Sequence, residues 1–210
     1  MIKIFIADDH AIVRRGLKQI ISETSDMLIA AEAEKGDELL SKVFQEHYDV
    51  VLLDISMPGA SGLEVLKQLK KRRPKLPVLM LSIYPEDQYA MRALKAGASG
   101  YITKESAPEE LIAAIRKISK GGKYVSSSLA ERIISELDVY EEKPAHMTLS
   151  DREYQVMCMF ASGKKVKEIA DALTLSIQTI STYRTRILEK MKLHGIGDII
   201  RYAVKHRLVE

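Results

Sequence analysis

The chain has 210 residues, 46% of them hydrophobic and 29% charged, with a formal net charge of +3; that is ample for two domains, each with its own core, in the class of ordinary globular proteins. No apolar run approaches the ~18 residues that span a bilayer, and MIKIFIADDH opens as a strand rather than as a signal peptide. A single cysteine, Cys158, excludes an intrachain disulfide, and the five histidines lack zinc spacing, so the expectation is a cytoplasmic protein without a membrane partner.

In chain order, KIFIA predicts a first strand and residues 11–24 a helix with Ile12, Leu17, Ile20 and Ile21 on one stripe. MLIAAEA then reads as strand and 38–47 as helix. The unit repeats as VVLLD with a helix over 62–73, VLMLS with 86–96, and GYI with 108–120. Gly97 closes one helix and Pro108 opens the next. Strands that lack polar alternation are covered on both faces, and helical crossovers impose parallel order, which predicts a doubly wound (βα)5 domain over 1–125. Residues 126–146 read as a linker with a short helix starting at Ser127 or Ser128, and VYEEKPAH as its charged end. Residues 147–210 show helical periodicity only, in four helices over 150–162, 166–173, 176–192 and 197–207.

The carboxyl ends of parallel strands share one edge. Asp8 and Asp9, Asp54, Ser82 and Lys104 each sit at or just after such an end, so the topology gathers three carboxylates, a hydroxyl and an ammonium in one crevice. A carboxylate that attacks an anionic phosphoryl group needs cations to neutralise the developing charge. Asp8 and Asp9 can hold Mg²⁺, which accepts a few carboxylates together with water and phosphate oxygens. Asp54, ending the most apolar strand, is the nucleophile by placement, while Ser82 and Lys104 can meet phosphoryl oxygens. The run Lys70 to Arg73 reads as a solvated helix end whose cations complement the dipole.

Asp8, Asp9, Asp54, Ser82, Tyr101 and Lys104, with Met57, Pro58 and Gly62, resemble the receiver domain of bacterial two-component response regulators. The resemblance implies a flavodoxin-like fold, Mg²⁺ held by Asp8, Asp9, Asp54 and the main-chain carbonyl of Ser56, and phosphorylation of Asp54 by a histidine kinase. It also implies that Ser82 moves onto the phosphoryl group as Tyr101 turns inward. Glu105 follows Lys104 where many receivers carry proline. An aspartyl-phosphate hydrolase would need a second acid two residues after Asp54, and Ser56 stands there, so no enzyme is expected.

Charge divides along the chain: residues 1–146 carry 21 Lys+Arg against 22 Asp+Glu, and residues 147–210 carry 11 against 7. Within the basic segment a pair of helices meets across a tight turn at Thr174. The second helix of the pair presents Gln178, Ser181, Thr182 and Thr185 as groups that can reach base edges, and Thr179, Tyr183, Arg184, Arg186 and Lys190 as groups suited to phosphate. LSDREYQVMCMFASG, KEIADALTLS and TISTYRTRILEKM are similar to the four-helix LuxR-type helix-turn-helix domain. Lys165 and Val166 replace a common Ser and Asn there, and Ser181 and Tyr183 a frequent lysine and histidine.

The whole chain is therefore identified as resembling a NarL/FixJ-type response regulator. That implies a transcription factor controlled by phosphorylation, a homodimer when phosphorylated, binding to double-stranded promoter DNA in half-sites about 34 Å apart, and contact with RNA polymerase. The alternative is a phospho-dependent protein-docking regulator without DNA binding.

Overall fold

A computed structural model describes residues 1–138, 144–206, 208 and 209. The chain forms two compact units, Met1–Ile134 and Ser135–Glu210.

The first unit alternates strand and helix: β1 Ile2–Ala7, α1 Ala11–Ser22, β2 Met27–Ala33, α2 Gly36–Lys42, β3 Val50–Asp54, α3 Gly62–Arg72, β4 Val78–Ser82, α4 Glu86–Lys95, β5 Gly100–Thr103 and α5 Pro108–Ser119. All strand pairs are parallel, in the order β2-β1-β3-β4-β5. Every residue of β3 and β4 is buried, as a sheet with helices on both faces requires. The core on one face joins Ile4, Ile6, Leu52 and Leu79 to Leu17 and Ile21 of α1 and Ile115 and Ile118 of α5.

Two local devices fix where the chain turns beside the carboxyl edge. Ser61 and Glu64 form a reciprocal capping box that starts α3. Gly62 follows, and a Cβ there would lie 2.0 Å from the main-chain oxygen of Asp54, so only glycine lets α3 begin against the end of β3. Helix α2 begins and ends earlier than its apolar pattern predicts. Its first residue, Gly36, packs against Val65 so closely that a Cβ would lie 2.4 Å from Cγ2, a tertiary fit that periodicity does not contain. Beyond α2, Asp49 Oδ2 accepts the Lys3 N–H at 2.8 Å and draws the chain down to β3.

Helix α6, Ser127–Asp138, starts where the short linker helix was expected to. Ser126 Oγ accepts the Leu129 N–H at 3.1 Å and donates to the carboxylate of Glu86, the first residue of α4. Leu129 is buried.

In the second unit a 3-10 turn, Ala145–Thr148, precedes α7 Asp151–Ala161, α8 Val166–Leu173, α9 Ile177–Met191 and α10 Ile196–Lys205. Ile169, Ala170, Leu173, Ile180, Ile187, Ile199 and Ala203 are buried, and α7 packs on α8, α9 and α10. Ser150 and Ser176 cap α7 and α9. Between α8 and α9 the backbone passes through the left-handed region at Thr174, φ 53°. Among the described residues no helix is long and apolar enough to cross a membrane.

Candidate functional site

The strand order brings the polar strand ends of the first unit into one crevice. Asp8 and Asp54 are fully buried, and Asp9 is half-buried at the rim. Lys104, just beyond β5, places Nζ 2.7 Å from Asp8 Oδ2 and 3.0 Å from Asp54 Oδ2. Its own N–H donates to the Ser82 carbonyl at 2.7 Å, which continues the β4–β5 ladder and aims the side chain back over the sheet edge.

The charges in this crevice are not balanced. Burial raises the carboxyl pKa of Asp54, the charge on Lys104 opposes that, and the neighbouring Asp8 adds to the rise. Burial alone would lower Lys104, but the attraction of Asp54 and Asp8 outweighs it and holds the ammonium above its ordinary value. Asp8 Oδ2, Asp9 Oδ1, both carboxylate oxygens of Asp54 and Ser56 Oγ lie buried without a hydrogen bond of full geometry. Buried oxygens left in that state are costly, and a hard divalent cation satisfies them. One ligand atom each from Asp8, Asp9, His10 and Asp54 lies within 4.8 Å of all the others.

Two supporting residues were not among those the sequence singled out. His10 donates its N–H to Asp8 Oδ1 at 2.8 Å and sets its ring Nδ1 2.8 Å from Asp9 Oδ1. Arg14, buried on α1, donates from Nη1 to the Asp8 carbonyl at 2.8 Å and pairs with Glu34, so it anchors the loop that carries the acids. An arginine on the otherwise apolar side of α1 was the available clue to the second. His10 had none beyond its place after two aspartates.

On the other side of the crevice, Ser82 is buried and its Oγ accepts the Tyr84 N–H at 2.9 Å. Tyr101 is fully buried, and its hydroxyl donates to the Tyr84 carbonyl at 2.9 Å. Burial pushes the phenol pKa upward, against the Ser82 hydrogen bond. A concavity of about 490 Å³ lies elsewhere, lined by His47, Asp49, Arg73, Lys75 and Pro77 among others, and holds no comparable acid cluster.

In the second unit α9 presents Gln178, Ser181, Thr182, Thr185, Arg184 and Arg186 as exposed residues, with Thr179 and Tyr183 partly buried. Arg184 and Arg186 have no ion-pair partner among the described residues. Lys190 differs, since its ammonium lies 2.6 Å from Glu153 Oε2, 37 residues away on α7. Burial raises the Glu153 pKa, but Lys190 and the Ser150 N–H prevail and hold it below its ordinary value.

Two family models match the chain: the response regulator receiver domain over residues 4–116, and the luxR family of bacterial regulatory proteins over residues 147–203. Response regulator UvrY of Escherichia coli K12 is 33% identical over 209 residues, covering 99% of this chain and 96% of the relative. Response regulator GacA of Pseudomonas aeruginosa is 34% identical over 211 residues, covering 100% and 99%. Among solved structures, RcsB of Salmonella enterica serovar Typhimurium, bound to the rprA promoter in the presence of the phosphomimetic BeF3-, is similar with a TM-score of 0.66 and 26% identity, covering 97% of this chain and 99% of that one.

Proposed function

The chain belongs to the NarL/FixJ-type response regulators, with a receiver domain followed by a LuxR-type DNA-binding domain, a family of regulators rather than enzymes, and from that premise we propose that Asp54 accepts a phosphoryl group from a histidine kinase and that this controls binding of α9 to promoter DNA. The observation that carries the reading is the buried Asp8–Lys104–Asp54 arrangement at one sheet edge.

Asp8, Asp9 and Asp54, with the main-chain carbonyl of Ser56, would hold Mg²⁺, which supplies positive charge against the phosphoryl oxygens. The buried, under-satisfied carboxylate oxygens support that fit. Asp54 then attacks phosphorus: a bond forms between its carboxylate oxygen and phosphorus as the bond to the kinase imidazole nitrogen breaks. The electron pair stays on that nitrogen, and the product is an acyl phosphate. Lys104, 3.0 Å from Asp54 Oδ2, would stabilise the extra negative charge, and the Ser82 hydroxyl would turn to donate to a phosphoryl oxygen.

Moving Ser82 disturbs the Tyr84 backbone, which also receives the Tyr101 hydroxyl, so the serine and the aromatic sense each other through one residue. Glu86 begins the next helix and holds Ser126 at the start of α6. That chain of contacts supports a signal that leaves the crevice along α4 and favours a homodimer, worth about 1–3 kcal/mol of coupling. The dimer sets two copies of α9 in successive major grooves of promoter DNA in the cytoplasm, where RNA polymerase is a further partner.

The test is phosphoryl uptake. The chain with Mg²⁺ and a small-molecule phosphodonor should gain the mass of about one phosphoryl group, and Asp54→Asn should gain none while keeping its melting transition. Persistent labelling of Asp54→Asn overturns the assignment.

A further inference from the structure

Resting on the DNA-binding reading above, we infer that α9 reads A·T pairs, with Ile177 as a specificity residue that meets a thymine methyl group. Ile177 is 50% exposed in the first turn of α9. With Gln178, Ser181, Thr182 and Thr185 it follows the spacing i, i+1, i+4, i+5, i+8, which on a regular α-helix is one face about 140° wide. Ile180, Ile187 and Met191, the buried residues of α9, lie outside that face.

The hydroxyls of the face are already committed as donors. Ser181 Oγ donates to the Ile177 carbonyl at 3.0 Å, Thr182 Oγ1 to the Gln178 carbonyl at 3.0 Å, and Thr185 Oγ1 to the Ser181 carbonyl at 3.2 Å. Each hydroxyl has one proton, so what remains for a ligand is oxygen lone pairs and, on the threonines, methyl groups. In the major groove the donors such lone pairs can meet are adenine N6 and cytosine N4; guanine offers only acceptors there. Arg184 and Arg186 lie about 20° and 40° beyond the two edges of the face, where they suit phosphate, so no cation is centred on it for the bidentate contact to guanine.

The other two side-chain types narrow the choice. Gln178 matches the adenine N6/N7 edge, and an exposed isoleucine beside threonine methyls matches the C5-methyl of thymine, which separates A·T pairs from the cytosine alternative. Acceptors, an amide and apolar groups thus converge on adenine on one strand and thymine on the other.

The experiment uses the full chain treated with a phosphodonor. A preferred duplex is selected from a random pool, and single thymines in it are then replaced by deoxyuridine, which deletes only the methyl group. At least one replacement per half-site should weaken binding about three- to five-fold, the effect of burying one methyl group. Ile177→Ala should show a similar loss on the unmodified duplex, become indifferent to that replacement, and keep its dependence on salt. A selected core built of G·C pairs, full binding by every deoxyuridine duplex, or undiminished sensitivity in Ile177→Ala would each overturn the inference. Absence of any salt-dependent binding to duplex DNA would remove the DNA-binding reading itself, and the inference with it.

Discussion

The acid crevice and the reading face of α9 handle polar groups in opposite ways. In the crevice, Asp8 and Asp54 are buried with charges that are only partly met, and Lys104 is locked between them. On α9 the hydroxyls are exposed and turned back onto their own helix. The first arrangement leaves unsatisfied electrostatics that suit the proposed cation and phosphoryl group. The second leaves a surface of lone pairs and methyl groups whose proposed selectivity lies in shape and in acceptors. Chemistry needs groups held off balance by burial, whereas recognition needs groups at ease in water until a matching surface arrives.

The comparison can be broken most forcefully at Lys104. Lys104→Ala leaves two buried carboxylates facing each other, and chemical denaturation should show a loss of about 3–5 kcal/mol that millimolar Mg²⁺ partly restores. A loss below about 1 kcal/mol would mean the crevice is not electrostatically loaded. On α9 the expected effects are smaller and of two kinds. Thr182→Ala should change base preference, worth about 1–3 kcal/mol at one position. Arg184→Ala should weaken all duplexes alike and reduce the salt slope by about 1. Equal, uniform losses in both variants would show that Thr182 does not face the groove.

Thr174 sharpens the contrast between strain and function. A β-branched residue at φ 53° is held in a region that costs L-residues roughly 1–2 kcal/mol, so Thr174→Asn should stabilise the second unit by about 1 kcal/mol in denaturant titrations. The mildest effect is confined to acid. The folded-state pKa of Glu153 is depressed below 4.5, so its contribution is complete above that value and is lost as pH falls through the folded value. Glu153→Gln should flatten the acid limb of α7 amide protection, with Lys190 freed to approach phosphate.

Much of this was legible in the chain because polar residues ended apolar runs. Asp8, Asp54, Ser82 and Lys104 could be assigned to one edge from topology alone, without knowing any distance. What stayed hidden depends on tertiary neighbours. Gly36 beneath Val65 sets the start of α2, Glu153 reaches Lys190 from 37 residues away, and the inward position of Tyr101 depends on the Tyr84 carbonyl. The commitment of the α9 hydroxyls was equally invisible, because serine and threonine have the same spacing whether their protons face solvent or a carbonyl.

Gly62 carries a consequence for how such a protein diversifies. With Asp54 main-chain oxygen 2.0 Å from where a methyl would stand, single substitutions at that position are closed to drift, and Asp54, the proposed phosphoacceptor, is inherited together with the loop that supports it. Ile177, exposed and unconfined, can change one residue at a time. Descendants of this chain can acquire new operators by piecemeal change while the input chemistry stays as it is.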